Sequence, residues 1–137
     1  MISYLTLRSR EKTELIDITN RIEELLSAAR VTNGCCDIFV MHTTAGITVN
    51  EGADPAVKRD IAECLNRLVP SAHYFTHAEG NAAAHVKASL VGTSQRLLVD
   101  RGKLLLGTWQ ALYFCEFDGP RERKVAVRIC CDSNGAN

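Results

Sequence analysis

Hydrophobic and polar positions alternate loosely at the start of the chain: Ser3 separates Ile2 from Tyr4 and Thr6 precedes Leu7, which predicts a half-buried strand over Ile2–Arg8. A polar turn, Arg10–Thr13, precedes a second short strand over Leu15–Ile18. Spacing then changes. Ile22, Leu25, Leu26 and Ala29 recur at helical intervals and predict one buried helix face. Asn20 is placed to cap that helix, with Glu23 as its reciprocal partner, and Asn33-Gly34 to stop it. The apolar run Cys35–Met41 predicts a central strand and Ile47–Asn50 another, with Thr43–Gly46 as a tight polar connection. Asp54-Pro55 is a helix start: Asp accepts from the first free N–H groups, and Pro suits the first helical position. Val57, Ile61, Cys64, Leu65 and Leu68 form its apolar face, and Pro70 ends it.

In the second half, Asn81 is placed to cap a short helix from Ala82 to Leu90, with Gly92 behind it. Strands follow over Ser94–Val99, Leu104–Leu106, Trp109–Phe117 and Val125–Cys131. The turns between them carry Asp100–Gly102 and Asp118-Gly-Pro-Arg121, and Asn134–Asn137 reads as a frayed tail. Trp109 is expected in the core. Short strands outnumber helices, and those after Ser94 read as a meander. The expected fold is α+β: an antiparallel sandwich with two main helices and one short helix, in a single domain over 1–137.

Composition narrows the partners. Sixteen basic and sixteen acidic side chains cancel to a net charge of +0, which argues against a broad grip on nucleic acid. A small phosphorylated ligand, needing only local donors, is compatible. No apolar run reaches the ~20 residues of a membrane span, and no signal-peptide pattern opens the chain, so a cytoplasmic protein is expected. The six cysteines include two adjacent pairs in apolar segments and no CxxC, which points to buried free thiols rather than a disulfide framework or zinc ribbon.

Candidate chemistry concentrates in two stretches: His77–Ser94, where Ala and Gly separate the polar groups, and His42–Glu51, its polar complement. Small residues leave room for a ligand where bulky ones would fill a core. His42 ends an apolar run and reads equally as a core histidine held by a carbonyl or as a site residue. His77 and Glu79 face the same way in an extended segment. His85 and Ser89 share a helix face, from which Lys87 points away. Three imidazoles and a carboxylate could hold Zn²⁺, although the spacing matches no compact zinc signature; without metal the same groups suit acid–base work. Gly92-Thr93-Ser94 could offer hydroxyl and amide donors to a phosphate. Glu116, between Cys115 and Phe117, needs a partner if its strand is central, and Arg121 and Arg123 are the nearest candidates.

The blocks His42-Thr-Thr-Ala-Gly-Ile-Thr-Val-Asn-Glu-Gly-Ala-Asp-Pro55, His77 to Ser94, Gly107-Thr-Trp-Gln110 and Glu116-Phe-Asp-Gly-Pro-Arg121 resemble the YjbQ-like family, whose members are often labelled secondary thiamine-phosphate synthases. The likeness covers nearly the whole chain. It implies a compact α+β fold assembled as a homotrimer. It also implies a weak ability to join a thiazole phosphate to a pyrimidine diphosphate with release of pyrophosphate, the primary role being unsettled. The candidate set that results has His42, His77, His85, Glu79 and Lys87 in catalysis. Thr43, Glu51, Asp54, Asn81, Gly92, Thr93 and Ser94 are placed around the substrate. His42, His77 and His85 are the ligands of a possible divalent metal, Zn²⁺ or Mg²⁺. The alternative is a protein that binds a metal or a phosphorylated metabolite without robust turnover.

Overall fold

Alternate residues of one strand, Gln110–Glu116, face two different interiors. Leu112, Phe114 and Glu116 point one way and Ala111, Tyr113 and Cys115 the other, and all six are buried. In the computed structural model, which describes residues 1–72 and 74–133, that strand is the centre of a small sheet stacked between a larger sheet and a helical layer.

The elements in order are β1 (Ile2–Arg8), β2 (Glu14–Asp17), α1 (Thr19–Ala29), β3 (Gly34–Val40), β4 (Ala45–Glu51), α2 (Pro55–Leu68), α3 (Ala82–Val91), β5 (Ser94–Asp100), β6 (Lys103–Leu104), β7 (Gln110–Glu116) and β8 (Glu122–Cys131). The large sheet has the order β1-β8-β3-β5-β6 and the small one β2-β7-β4, every pairing antiparallel. This is the α+β sandwich with three helices that the pattern predicts. No helix among the described residues is long and apolar enough to cross a membrane.

Between the sheets lie Leu5, Leu7, Ile38, Val40, Val125 and Val127 from the large one and Ile47, Leu112 and Phe114 from the small one, with Ile22 and Leu26 of α1. Phe114 is fully buried there, and its truncation to Ala costs about 3–5 kcal/mol. The second cluster joins Tyr113, Cys115 and Phe117 to Ala84 and Ala88 of α3, with Ile61 and Leu65 of α2 against it.

Several local expectations give way to tertiary constraints. The strands after Ser94 are not a meander: only β5 and β6 form a hairpin, β7 crosses to the small sheet, and β8 returns between β1 and β3. A strand apolar on both faces needs cover on both sides, and only the middle layer supplies it. Helix α1 starts earlier than the Asn20 cap requires. Its N-cap is Ile18, and Asp17 Oδ1 accepts from Thr19 N at 2.9 Å and from Thr19 Oγ1 at 2.7 Å. Ile18 is tied to the small sheet by its own N–H to Leu112 O, and that fixes where the chain leaves β2. The left-handed cap is Arg30, not Gly34. Gly34 instead opens β3 where a Cβ would lie 1.9 Å from Cys130 O. The face of α2 is narrower than its sequence spacing suggests, with Cys64 and Leu68 exposed. Trp109 stands in a turn, 64% exposed, rather than in the core. The cysteines are all free, but only Cys36 and Cys115 are fully buried. The tail expected to fray lies outside the described residues.

Candidate functional site

The β3–β4 connection carries His42, Thr43 and Thr44 across the end of the sandwich, above a buried ion pair. Glu116 and Arg123 are both almost fully buried, and the guanidinium grips the carboxylate through both Nε and Nη2. Ser9 Oγ donates to Glu116 Oε1 at 2.5 Å, and the N–H groups of Phe117 and Asp118 donate to Oε2 at 3.1 Å. Arg123 Nη2 also donates to Thr44 Oγ1 at 2.8 Å. Burial alone would push the Glu116 carboxyl up; the Arg123 guanidinium, with Ser9 and the Asp118 N–H, outweighs it and holds the carboxyl below its ordinary range. Of the two arginines the sequence offered, Arg123 is the partner. Arg121 turns to Asp118, 2.8 Å away.

His42 is half-buried directly beyond this pair. Its Nε2 accepts the N–H of Lys124 at 2.8 Å, which fixes the neutral tautomer and leaves Nδ1–H as a donor. Partial burial and the nearby Arg123 charge hold its pKa below the ordinary imidazole value.

Across from His42 lies α3. Gly46 lets the two segments meet: a Cβ there would lie 2.7 Å from Gly92 O, which accepts from Ile47 N. Thr93 O accepts from Val40 N in the same seam. Between them is an open hollow of about 820 Å³ lined by His42, Thr43, His85, Ala88, Ser89 and Thr93, with Phe39, Val40 and Met41 as its apolar wall. The His77 ring meets that of His85 edge-on, with centroids 5.1 Å apart. Glu79 stands beside His77, 3.9 Å from its Nε2, in a turn that Gly80 closes with φ +74°. The two polar stretches therefore share one hollow within a single chain.

Other candidates fall elsewhere. Lys87 points off the opposite side of α3, as helical spacing requires. It is buried, donates to Asn66 Oδ1 at 2.6 Å, and lines a separate hollow with Lys12 and Thr13. Burial, with Lys12 nearby, lowers its pKa. Asn81 does not cap α3 with its side chain; Nδ2 donates to Asp118 Oδ2 at 2.9 Å, and Oδ1 is buried without a partner. Asp54 caps α2, accepting from Ala56 N at 2.9 Å. Glu51 offers its carbonyl to Tyr113 OH. Gly92 forms the backbone seam, and Ser94 starts β5 beside the outer face of the large sheet. The imidazoles of His42, His77 and His85 do not bring three nitrogens within 4.8 Å of one another. Phe39, Met41 and Ser89 were missing from the sequence-based set. The i,i+4 relation to His85 was the signal for Ser89; the two wall residues gave none, because their run reads as core.

The comparisons agree with this architecture. The family described as UPF0047 protein YjbQ-like matches residues 3–132. The UPF0047 protein MJ1081 of Methanocaldococcus jannaschii is 49% identical over 96% of this chain and 96% of its own. YugU of Bacillus subtilis is 46% identical over 94% and 98%. A YjbQ/UPF0047 structure from Clostridium acetobutylicum superposes with a TM-score of 0.91 at 48% identity, covering 93% of this chain and 99% of that one. A hypothetical protein, APE1520, from Aeropyrum pernix gives 0.90 at 35% identity, over 96% and 99%. On sequence and fold alike, the chain belongs to the UPF0047 YjbQ-like family.

Proposed function

We propose that the hollow between His42 and His85 binds a small phosphorylated heterocycle and supports weak thiamine-phosphate synthesis. The observation that carries this reading is the pairing of an apolar wall, Phe39 and Met41, with imidazole and hydroxyl donors from two separate segments. Such a wall suits a flat ring, and the donors suit phosphate oxygens. In the reaction the thiazole nitrogen attacks the pyrimidine methylene carbon. The bond from that carbon to the diphosphate oxygen breaks, and pyrophosphate leaves with the electron pair. The protein's task is to orient the two rings and to stabilise the negative charge that develops on the leaving group. Neutral His42, donating through Nδ1–H, and the hydroxyls of Thr43 and Thr93 serve that purpose. His85, backed by His77, holds or moves a proton at the phosphate.

No step here runs through a metal. The three imidazoles do not form a ready ligand set, and His42 Nε2 is already engaged. Where a divalent ion accompanies the diphosphate, His77 and His85 would be protein donors to Zn²⁺, whereas Mg²⁺ would be held by the diphosphate oxygens and water; either ion would neutralise charge on the leaving group. Lys87, on the other side of α3, contributes by holding that helix in place or by binding an anion from its own hollow.

We further propose, from the family resemblance, that the protein is a cytoplasmic homotrimer. In the isolated chain, edge strand β1 leaves Ile2 and Tyr4 half exposed, and a closed ring would cover such an edge. Light scattering returning a monomer mass would remove the trimer. The function is tested by incubating the purified protein with thiazole phosphate and pyrimidine diphosphate. Thiamine phosphate should form, and His85→Ala should abolish it with the fold intact. Saturable binding of either compound without product would favour the alternative, a binding protein without turnover.

A further inference from the structure

On the outer face of the large sheet, Cys35 of β3 sits directly opposite Cys130 of β8. Asp37 is two residues further along β3 and so projects from the same face. All three are half-buried, and one ligand atom from each lies within 4.8 Å of the others. Among the described residues this is the only such trio of His, Cys, Asp or Glu groups. The two sulfurs lie within 4.8 Å of each other.

We infer that Cys35, Cys130 and Asp37 form a binding site for a thiophilic divalent cation of the Zn²⁺ class, with its fourth position open to water. A tetrahedral ion with Zn–S bonds of ~2.3 Å needs its sulfurs about 3.8 Å apart, within reach of small side-chain rotations from this arrangement. The ligands stand on two paired interior strands of the sheet, so the backbone needs no rearrangement.

Asp37 is prepared as a ligand. Arg96 and Arg128 converge on it, Arg96 Nε at 2.6 Å from Oδ1 and Arg128 Nη2 at 2.7 Å from Oδ2. Oδ2 takes three of the four hydrogen bonds and Oδ1 only one, which leaves Oδ1 a free lone pair. The two guanidiniums hold the carboxylate in place on the sheet face. Such partners orient a ligating carboxylate as an outer shell does in metal sites. Nor do they repel the ion beyond what it replaces: two thiol protons leave as one divalent cation enters, and the net charge of the cluster is unchanged. The other cysteines are poor competitors. Cys36 and Cys115 are buried, and neither belongs to such a trio. Cys64 and Cys131 are exposed and belong to no such trio.

Cobalt(II) titration of the reduced protein without oxygen is the test. One equivalent should bind and give a thiolate-to-cobalt charge-transfer band, which one equivalent of Zn²⁺ then removes. An ion held by histidines alone would give no such band, so this result stands apart from the fate of the His42 hollow. Cys35→Ser and Cys130→Ser should each lose the band, and Asp37→Asn should weaken binding at least about tenfold. Cys64→Ser and Cys131→Ser should keep it, and thermal melts confirm that each variant is folded. Three results would overturn the site: no thiolate band in the wild-type protein, a band that survives Cys35→Ser, or closure of a Cys35–Cys130 disulfide on peroxide treatment in a protein that takes up no metal when reduced.

Discussion

Two polar clusters lie close together at one end of the sandwich, and they differ in whether their groups are satisfied. The Glu116–Arg123 cluster is buried, and its carboxylate accepts from Arg123, Ser9 and two backbone N–H groups. The His42–His85 cluster is half exposed and faces open volume. A polar group buried with every partner in place holds a structure together; imidazoles turned toward a hollow are available to something else. The contrast ties the first cluster to stability, and it is the ground on which we propose ligand chemistry for the second.

The largest effect should come from the buried pair. Arg123→Ala leaves the Glu116 charge without its main partner and should destabilise by about 3–5 kcal/mol in denaturant unfolding. A much smaller loss would mean that the pair is not the clamp described. His85→Ala is the opposite case. Its stability should stay within about 0.5 kcal/mol of wild type, while thiamine-phosphate formation falls by at least about 100-fold. Equal damage to stability and activity would erase the distinction between the clusters. Lys87→Met is an intermediate test: the ammonium is buried against one amide oxygen, and Asn66 Oδ1 keeps a second donor in Thr13. Removing it should shift stability by no more than about 1 kcal/mol in either direction.

The smallest effect is in pH. The folded pKa of His42 is depressed, so at pH just below the ordinary imidazole value of 6.5 the unfolded chain binds a proton that the folded one refuses. His42 should therefore subtract stability as pH falls from that value to its folded pKa, and add no slope above it. His42→Gln should flatten that part of the stability profile; an unchanged slope would show that the imidazole is not held neutral.

Much of this was legible because the signals were local. Asp54-Pro55 starts α2 as the residue types require, and Glu116 in an apolar strand announced a buried partner, found in Arg123. What was not legible depended on the other layer. The sequence of β7 says that both its faces are apolar, but not that β8 belongs to a different sheet. Trp109 carries a core residue's bulk, yet its turn, closed by Gln110 N to Gly107 O, projects beyond both clusters. Asn20 has the chemistry of a cap, but the Ile18 bond to Leu112 O sets the register first. Lys87 and His85 are neighbours in sequence and line separate hollows, because a helix separates what two residues of chain join.

The central claim is that His42 and His85 act on one bound ligand. Imidazole NMR resonances followed during titration with thiazole phosphate test it most directly. The signals of His42 and His85 should move together and saturate at the same ligand concentration, with His77 following through its ring contact. Saturable binding that leaves both unmoved, or moves one without the other, would contradict it.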